Sequence, residues 1–143
     1  MTAERIAVFD TNVVVSGMLS PHGPPGRIVE WLRSGTIRAA LDERIAAEYA
    51  EVLQRPELGL PSREVALVLS GILAHALWTQ VQPEHVAADV PDPDDAPFAE
   101  CARSLGCCLV TGNRRHYPRA SAHGLIVLSP RDFVDKVARD AKA

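Results

Sequence analysis

The sequence predicts an α/β domain of three layers, with a central, mostly parallel five-stranded sheet flanked by helices. Short apolar runs alternate with helix-period segments along the whole chain, which is the pattern of strand–helix–strand units. The 143 residues suit one domain, spanning 1–143. No internal repeat or interdomain linker interrupts them.

The first strand is read at residues 6–9, an apolar run that ends in Asp10. Open parallel sheets hold ligands at the carboxyl ends of their strands, so Asp10 is placed where chemistry is expected. A helix follows to about Leu19, with Thr11 or Asn12 as its cap. The Ser20-Pro21-His22-Gly23-Pro24-Pro25-Gly26 stretch breaks the chain, either as a lip beside the site or as a plain connector. A short amphipathic helix around residues 28–32 ends at Ser34-Gly35, and residues 37–41 form the second strand.

Asp42 caps the next helix, which runs to about Gln54 and is stopped by Pro56. At about 100° per residue, Ile45, Ala46, Tyr49, Val52 and Leu53 form its buried stripe. Glu48 falls on the edge of that stripe and Glu51 nearly opposite, so Glu48 is the acid that looks inward. Ser62 is read as the cap of a further helix, apolar on most faces, which is either well buried or part of a dimer surface. His75 lies in that run as a core or interface histidine. Residues 78–81 form the third strand, and His85 lies in a polar loop with no expected role.

Residues 89–98 carry four acids and three prolines, the most unusual composition in the chain. Helix capping by Asp and Pro accounts for part of it. It does not account for Asp92, Asp94 and Asp95 held together against their repulsion, which a divalent cation would offset. The helix from 96 to about 105 buries Phe98, Cys101, Ala102 and Leu105, which puts Asp95 on the flank and turns Glu100 away. The fourth strand, residues 107–111, ends in Thr111-Gly112-Asn113 at the same sheet edge as Asp10. Arg114, Arg115, His116 and Arg119 then form the densest basic patch, a solvated loop or a phosphate grip. Residues 125–128 form the fifth strand. Ser129 caps the last helix with Pro130 at its first position, and Phe133, Val134 and Val137 dock it.

Composition narrows the function further. Net charge is −3, so any nucleic-acid binding must come from a local patch. Aromatic content of 5% argues against a stacking platform for single strands. The apolar runs are too short for a membrane span, and the start lacks a signal-peptide pattern. Cys101, Cys107 and Cys108 form no CxxC and read as reduced packing residues of a cytoplasmic protein.

The chemical candidates are Asp10, Glu48 and Asp95, with Asp92, Asp94 and Asn113 beside them. Hard oxygen ligands select Mg²⁺ or Mn²⁺ over zinc. No GxxxxGK[ST] loop and no GxSxG motif occur, and Ser16 reads as a site-lining hydroxyl rather than a nucleophile. Carboxylate-held metals activate water for in-line phosphoryl displacement without a side-chain nucleophile.

These motifs, in order, resemble the PIN-domain ribonucleases, and more narrowly the toxin components of bacterial toxin–antitoxin pairs (VapC-like). The resemblance rests on Phe9-Asp10-Thr11-Asn12-Val13, on Glu48-Tyr49-Ala50-Glu51-Val52-Leu53 with Arg55-Pro56, and on Asp92-Pro93-Asp94-Asp95-Ala96-Pro97-Phe98 with Glu100-Cys101-Ala102. Leu109-Val110-Thr111-Gly112-Asn113 and Ser129-Pro130-Arg131-Asp132-Phe133 complete it. It implies a PIN-like fold, Asp10, Glu48 and Asp95 as metal ligands, and Thr11 and Asn12 as organisers of the first ligand loop. It also implies RNA as substrate, homodimers and an antitoxin partner. Where the family usually has Asp after Thr-Gly, this chain has Asn113. An amide oxygen still coordinates Mg²⁺ or orients a water, but brings no charge, so either a second metal is held more weakly or Asp92 and Asp94 compensate.

Three other readings are weighed. A phosphatase of the haloacid-dehalogenase type needs a second Asp two residues after the first and a later Lys, and a receiver domain needs that Lys too. This chain has Asn12, and no Lys before Lys136. The stronger rival is a catalytically impaired PIN-like module that binds RNA or a partner, and Asn113 favours it.

Overall fold

The computed structural model describes residues 5–82, 90–118, 120 and 124–142. Asp89, His85 and Arg119, all weighed above, lie outside the described residues. In chain order the elements are β1 (Ile6–Phe9), α1 (Thr11–Leu19), α2 (Pro24–Ser34), β2 (Arg38–Leu41), α3 (Glu43–Leu53), α4 (Ser62–His75) and β3 (Leu77–Trp78). They continue with α5 (Ala96–Leu105), β4 (Cys108–Val110), β5 (Val127–Leu128) and α6 (Pro130–Lys142). Two single 3₁₀ turns, Pro56–Leu58 and Arg114–His116, complete the set among the described residues.

The five strands form one sheet in the order β3-β2-β1-β4-β5, and every pairing is parallel. The domain is a three-layer α/β fold of the expected class. Strand order reverses at β1, which has β2 on one side and β4 on the other. The crevice between the carboxyl ends of β1 and β4 is therefore the topological switch point, where such sheets take their ligands.

Local chemistry explains the elements. Ala7, Val8 and Phe9 are wholly buried, as a strand covered on both faces requires. Pro24 opens α2, so the break after α1 is shorter than the glycines and prolines suggest: Pro at the first helical turn lacks only an N–H that has no partner there. Gly35 ends α2 with φ +82°, a conformation that needs glycine. Asp42 caps α3 by accepting from the N–H groups of Arg44 and Ile45. At α4 the cap position belongs to Pro61 and Ser62 is already helical, so the expected serine cap is not formed. Ser129 caps α6 as expected, its hydroxyl accepting from the Asp132 N–H at 3.1 Å.

Helix α5 lies across β1, β2 and β4, while α2 packs on α1, α4 and α6. Phe133 of α6 meets Phe9 edge to face at 5.4 Å between ring centres. Three expectations about side-chain direction change here. Leu105 is exposed, because it is the last residue of α5 and Gly106 turns the chain away. His75 is exposed, which removes the core alternative of its reading and leaves the interface one; it closes α4, with its carbonyl accepting from Arg38 Nε at 2.8 Å. Glu100, expected to face water, is buried, because Arg44 Nη1 reaches it at 2.7 Å. Helix α4 is only partly covered: Val65, Val68 and Ile72 are buried while Leu67 and Leu73 are exposed. No helix among the described residues is long and apolar enough to cross a membrane.

Candidate metal centre

Asp10 follows β1 directly and occupies the cap position of α1. Its side chain is buried, yet it is not left without donors. The Thr111 hydroxyl, at the end of β4, donates to Oδ2 at 2.9 Å. The Tyr117 hydroxyl donates to the same oxygen at 3.3 Å. Oδ1 receives a long contact of 3.5 Å from the Asn12 N–H. Two neutral hydroxyls thus clamp one oxygen and aim the carboxylate into the crevice, next to the positive end of α1.

Glu48 approaches the β1–α1 junction from the inward side of α3 that its helical phase predicts, but it is not one of the residues whose donor atoms converge with Asp10. The Thr11 hydroxyl donates to its carboxylate in a short hydrogen bond, and the Tyr49 hydroxyl donates to the Phe9 carbonyl in another. Both tie α3 to the β1–α1 junction. Burial, then the charges of Asp10 and Asp94, push the Glu48 carboxyl above its ordinary value, against Thr11 and Arg55. Glu51 instead faces solvent and pairs with Arg55 at 2.9 Å.

Asp95 occupies the cap position of α5 but makes no capping bond with its side chain. Asp92 does the local work in this acidic stretch: its Oδ1 accepts from the Asp94 N–H at 2.9 Å, and its carbonyl accepts from the Asp95 N–H at 2.9 Å. Asp92 and Asp94 are exposed, and only Asp95 turns inward. Burial and then the charge of Asp10 push the Asp95 carboxyl up to about 6, with His116 acting in the opposite direction.

His116 is the residue the sequence did not nominate for this role. Its Nδ1 lies 3.3 Å from Asp95 Oδ2. Both atoms are buried, and neither makes a hydrogen bond among the described residues. One donor atom each from Asp10, Asp95 and His116 fall within 4.8 Å of one another. The only signal available was the histidine three residues after Asn113, which reads equally well as part of the basic patch. Tyr117, buried with its phenol held protonated by burial and then by Asp10 and Asp95, carried no signal at all.

The remaining nominees fall around this centre. Asn12 Oδ1 accepts from the Gly112 N–H at 3.1 Å and joins the ends of β1 and β4. Asn113 Oδ1 accepts from the Arg115 N–H at 3.1 Å, and its Nδ2 lies 3.0 Å from His116 Nε2. Arg114 pairs with Asp132 at 2.8 Å, and Arg115 is exposed. Ser16 lies exposed on α1, about one turn beyond Asn12. Pro21, His22, Gly23 and Gly26 line a cavity of about 780 Å³ that Asp10, Glu48 and Asp95 do not line.

The donor set fits a divalent cation. The carboxylates of Asp10 and Asp95 converge, with a raised carboxyl and a buried oxygen that makes no hydrogen bond among the described residues, and hard oxygen donors of this kind suit Mg²⁺ or Mn²⁺. A model of the PIN domain family matches residues 6–115. No curated protein matches the chain.

Proposed function

The chain belongs to the PIN-domain family, and on that premise we propose that it is a metal-dependent endoribonuclease, the toxin of a toxin–antitoxin pair. The observation that carries the reading is the meeting of Asp10 and Asp95 at the β1–β4 switch point, with Glu48 hydrogen-bonded to Thr11 beside them. Asp10, Glu48 and Asp95 would hold the ion, Mg²⁺ or Mn²⁺. Such an ion supplies a bound water of lowered pKa and positive charge against the phosphate oxygens.

The protein's own groups do the rest. Thr111 and Tyr117 fix Asp10 Oδ2, so the carboxylate presents a defined face. Thr11 does the same for Glu48. Arg115 is exposed beside the site and grips flanking phosphates. Arg114 is available too, because its pair with Asp132 lies at the surface, where such pairs contribute at most about 1 kcal/mol. This grip weakens with salt. The toxin role and an antitoxin partner rest on the ordered motif set. The exposed Leu67 and Leu73 of α4 favour a homodimer.

The test is cleavage of a structured RNA pool with Mg²⁺, Mn²⁺ or EDTA, beside Asp10→Asn and Asn113→Asp. Metal-dependent cutting that disappears in Asp10→Asn is expected. Equal cutting by Asp10→Asn sinks the assignment. A second reading, a disabled nuclease kept for binding, is favoured by one observation: the Asn113 oxygen is already committed to the Arg115 N–H. It predicts RNA binding without cutting in the parent, and cutting restored in Asn113→Asp.

A further inference from the structure

We propose that His116 is a nitrogen ligand of the ion, through Nδ1, and that Asn113 is its outer partner, so that the site prefers Mn²⁺ to Mg²⁺. This rests on the metal-site reading above and adds a ligand of a different chemical kind to it.

The geometry comes first. His116 Nδ1 and Asp95 Oδ2 are buried, 3.3 Å apart, and outside hydrogen-bonding alignment. With an oxygen of Asp10 they form a set within 4.8 Å. Two metal–ligand bonds of about 2.1 Å reach roughly 4.2 Å, so small side-chain movements close the set on one ion. Magnesium prefers oxygen and gives up water reluctantly, while first-row transition ions accept imidazole readily. One nitrogen among carboxylates therefore tilts the site toward Mn²⁺.

Asn113 sets the cost of using that nitrogen. The Arg115 N–H can only donate, which fixes Asn113 Oδ1 as its acceptor at 3.1 Å. The atom left 3.0 Å from His116 Nε2 is then the amide nitrogen, a donor. Nε2 accordingly accepts, and the ring proton is on Nδ1 in the metal-free chain. For Nδ1 to bind an ion, that proton is lost and Nε2 gains one, with no net change in protonation of the ring. The Nε2–H then faces an amide that must turn its oxygen round and give up the Arg115 N–H. A carboxylate at position 113 accepts from both donors at once, the arrangement that orients metal-binding histidines elsewhere. Asn113 thus restrains the ligand without abolishing it.

The experiment titrates the purified chain with MnCl₂ and with MgCl₂ and records pulsed EPR of the Mn²⁺ complex, for the parent, His116→Gln and Asn113→Asp. The expected result is a ¹⁴N coupling in the parent that is lost in His116→Gln. That variant should lose Mn²⁺ affinity by about tenfold or more, with Mg²⁺ affinity much less affected, and Asn113→Asp should bind Mn²⁺ more tightly than the parent. His116 is partly exposed, so the variant is expected to fold, and circular dichroism checks this. Two results overturn the proposal while leaving the carboxylate site standing. One is Mn²⁺ binding without nitrogen coupling in the parent; the other is an unchanged Mn²⁺-to-Mg²⁺ ratio in His116→Gln. Binding of neither ion by the parent overturns both readings.

Discussion

Arg44 Nη1 meets Glu100 Oε1 at 2.7 Å and ties α3 to α5, one helical turn before Glu48 on the first helix and five residues after Asp95 on the second. The same guanidinium holds Asp42 at 2.7 Å. Burial opposes the Asp42 charge, but the bond to Arg44 outweighs it with help from the Ile45 N–H, and the carboxyl stays below its ordinary value. Two buried acids share one cation, so Arg44→Met should be worse than Glu100→Gln. Arg44→Met is expected to cost about 2–3 kcal/mol, less than the roughly 3–5 kcal/mol for a fully buried pair, because Arg44 is half exposed. Urea unfolding of the two variants checks the order, and a larger loss in Glu100→Gln would reject it.

Helix α1 leans closely on α2 through Gly17. A methyl group there would meet the Pro25 carbonyl oxygen at 2.4 Å and Val29 Cγ2 at 2.5 Å. The first contact is backbone and cannot swing aside. Gly17→Ala should therefore destabilise the chain by about 1–3 kcal/mol, despite alanine's better helix propensity. A melting temperature at or above the parent's would show that the two helices are free to separate.

The Asp95 carboxyl gives the metal-free protein a pH signature. Its folded value is about 6 against an ordinary 3.8. Between these values the folded chain holds more protons than the unfolded one, so this group makes stability fall as pH rises from about 4 to 6. Above that range its full penalty remains until a cation offsets it. Asp95→Asn should raise the melting temperature of the EDTA-treated protein at pH 7.5 and remove the stabilisation that Mn²⁺ gives the parent. Thermal melts at pH 5 and 7.5, with and without EDTA, provide the comparison. A lower melting temperature for Asp95→Asn at pH 7.5 would mean that the carboxylate has a structural partner.

Thr111 and Tyr117 are expected to divide their effects on Asp10. Thr111→Val removes the 2.9 Å bond and Tyr117→Phe the 3.3 Å bond. Each should weaken metal binding about tenfold, in the range seen when an outer partner of a ligand is lost. The shorter bond should matter more. Isothermal titration with Mn²⁺ ranks them, and full affinity in both would show that Asp10 is oriented without them.

Much of this arrangement was legible along the chain. Four of the five expected strands formed at or within the apolar runs read for them, while the third, expected at residues 78–81, formed at Leu77–Trp78. Glu48 was separated from Glu51 by helical phase alone, since Ile45, Tyr49 and Leu53 fix which face of α3 is inside. Asp95 was separated from Glu100 by the same argument, and there it failed for Glu100. Phase tells which side of a helix meets its sheet; it does not tell which cation from another helix covers the flank.

What the sequence determined by itself is the α/β class, the order of the elements and the placing of Asp10 at a strand's carboxyl end, all properties of local pattern. The tertiary structure alone decided that Asp10 receives Thr111 and Tyr117, that Arg44 spans to Glu100, and that His116 turns toward Asp95 while Arg114 turns to Asp132. These partners lie between 18 and 107 positions apart in the chain. Asp10 meets its two donors because the parallel pairing of β1 with β4 brings it beside the Thr111–Tyr117 segment, and no spacing rule within one element contains that distance.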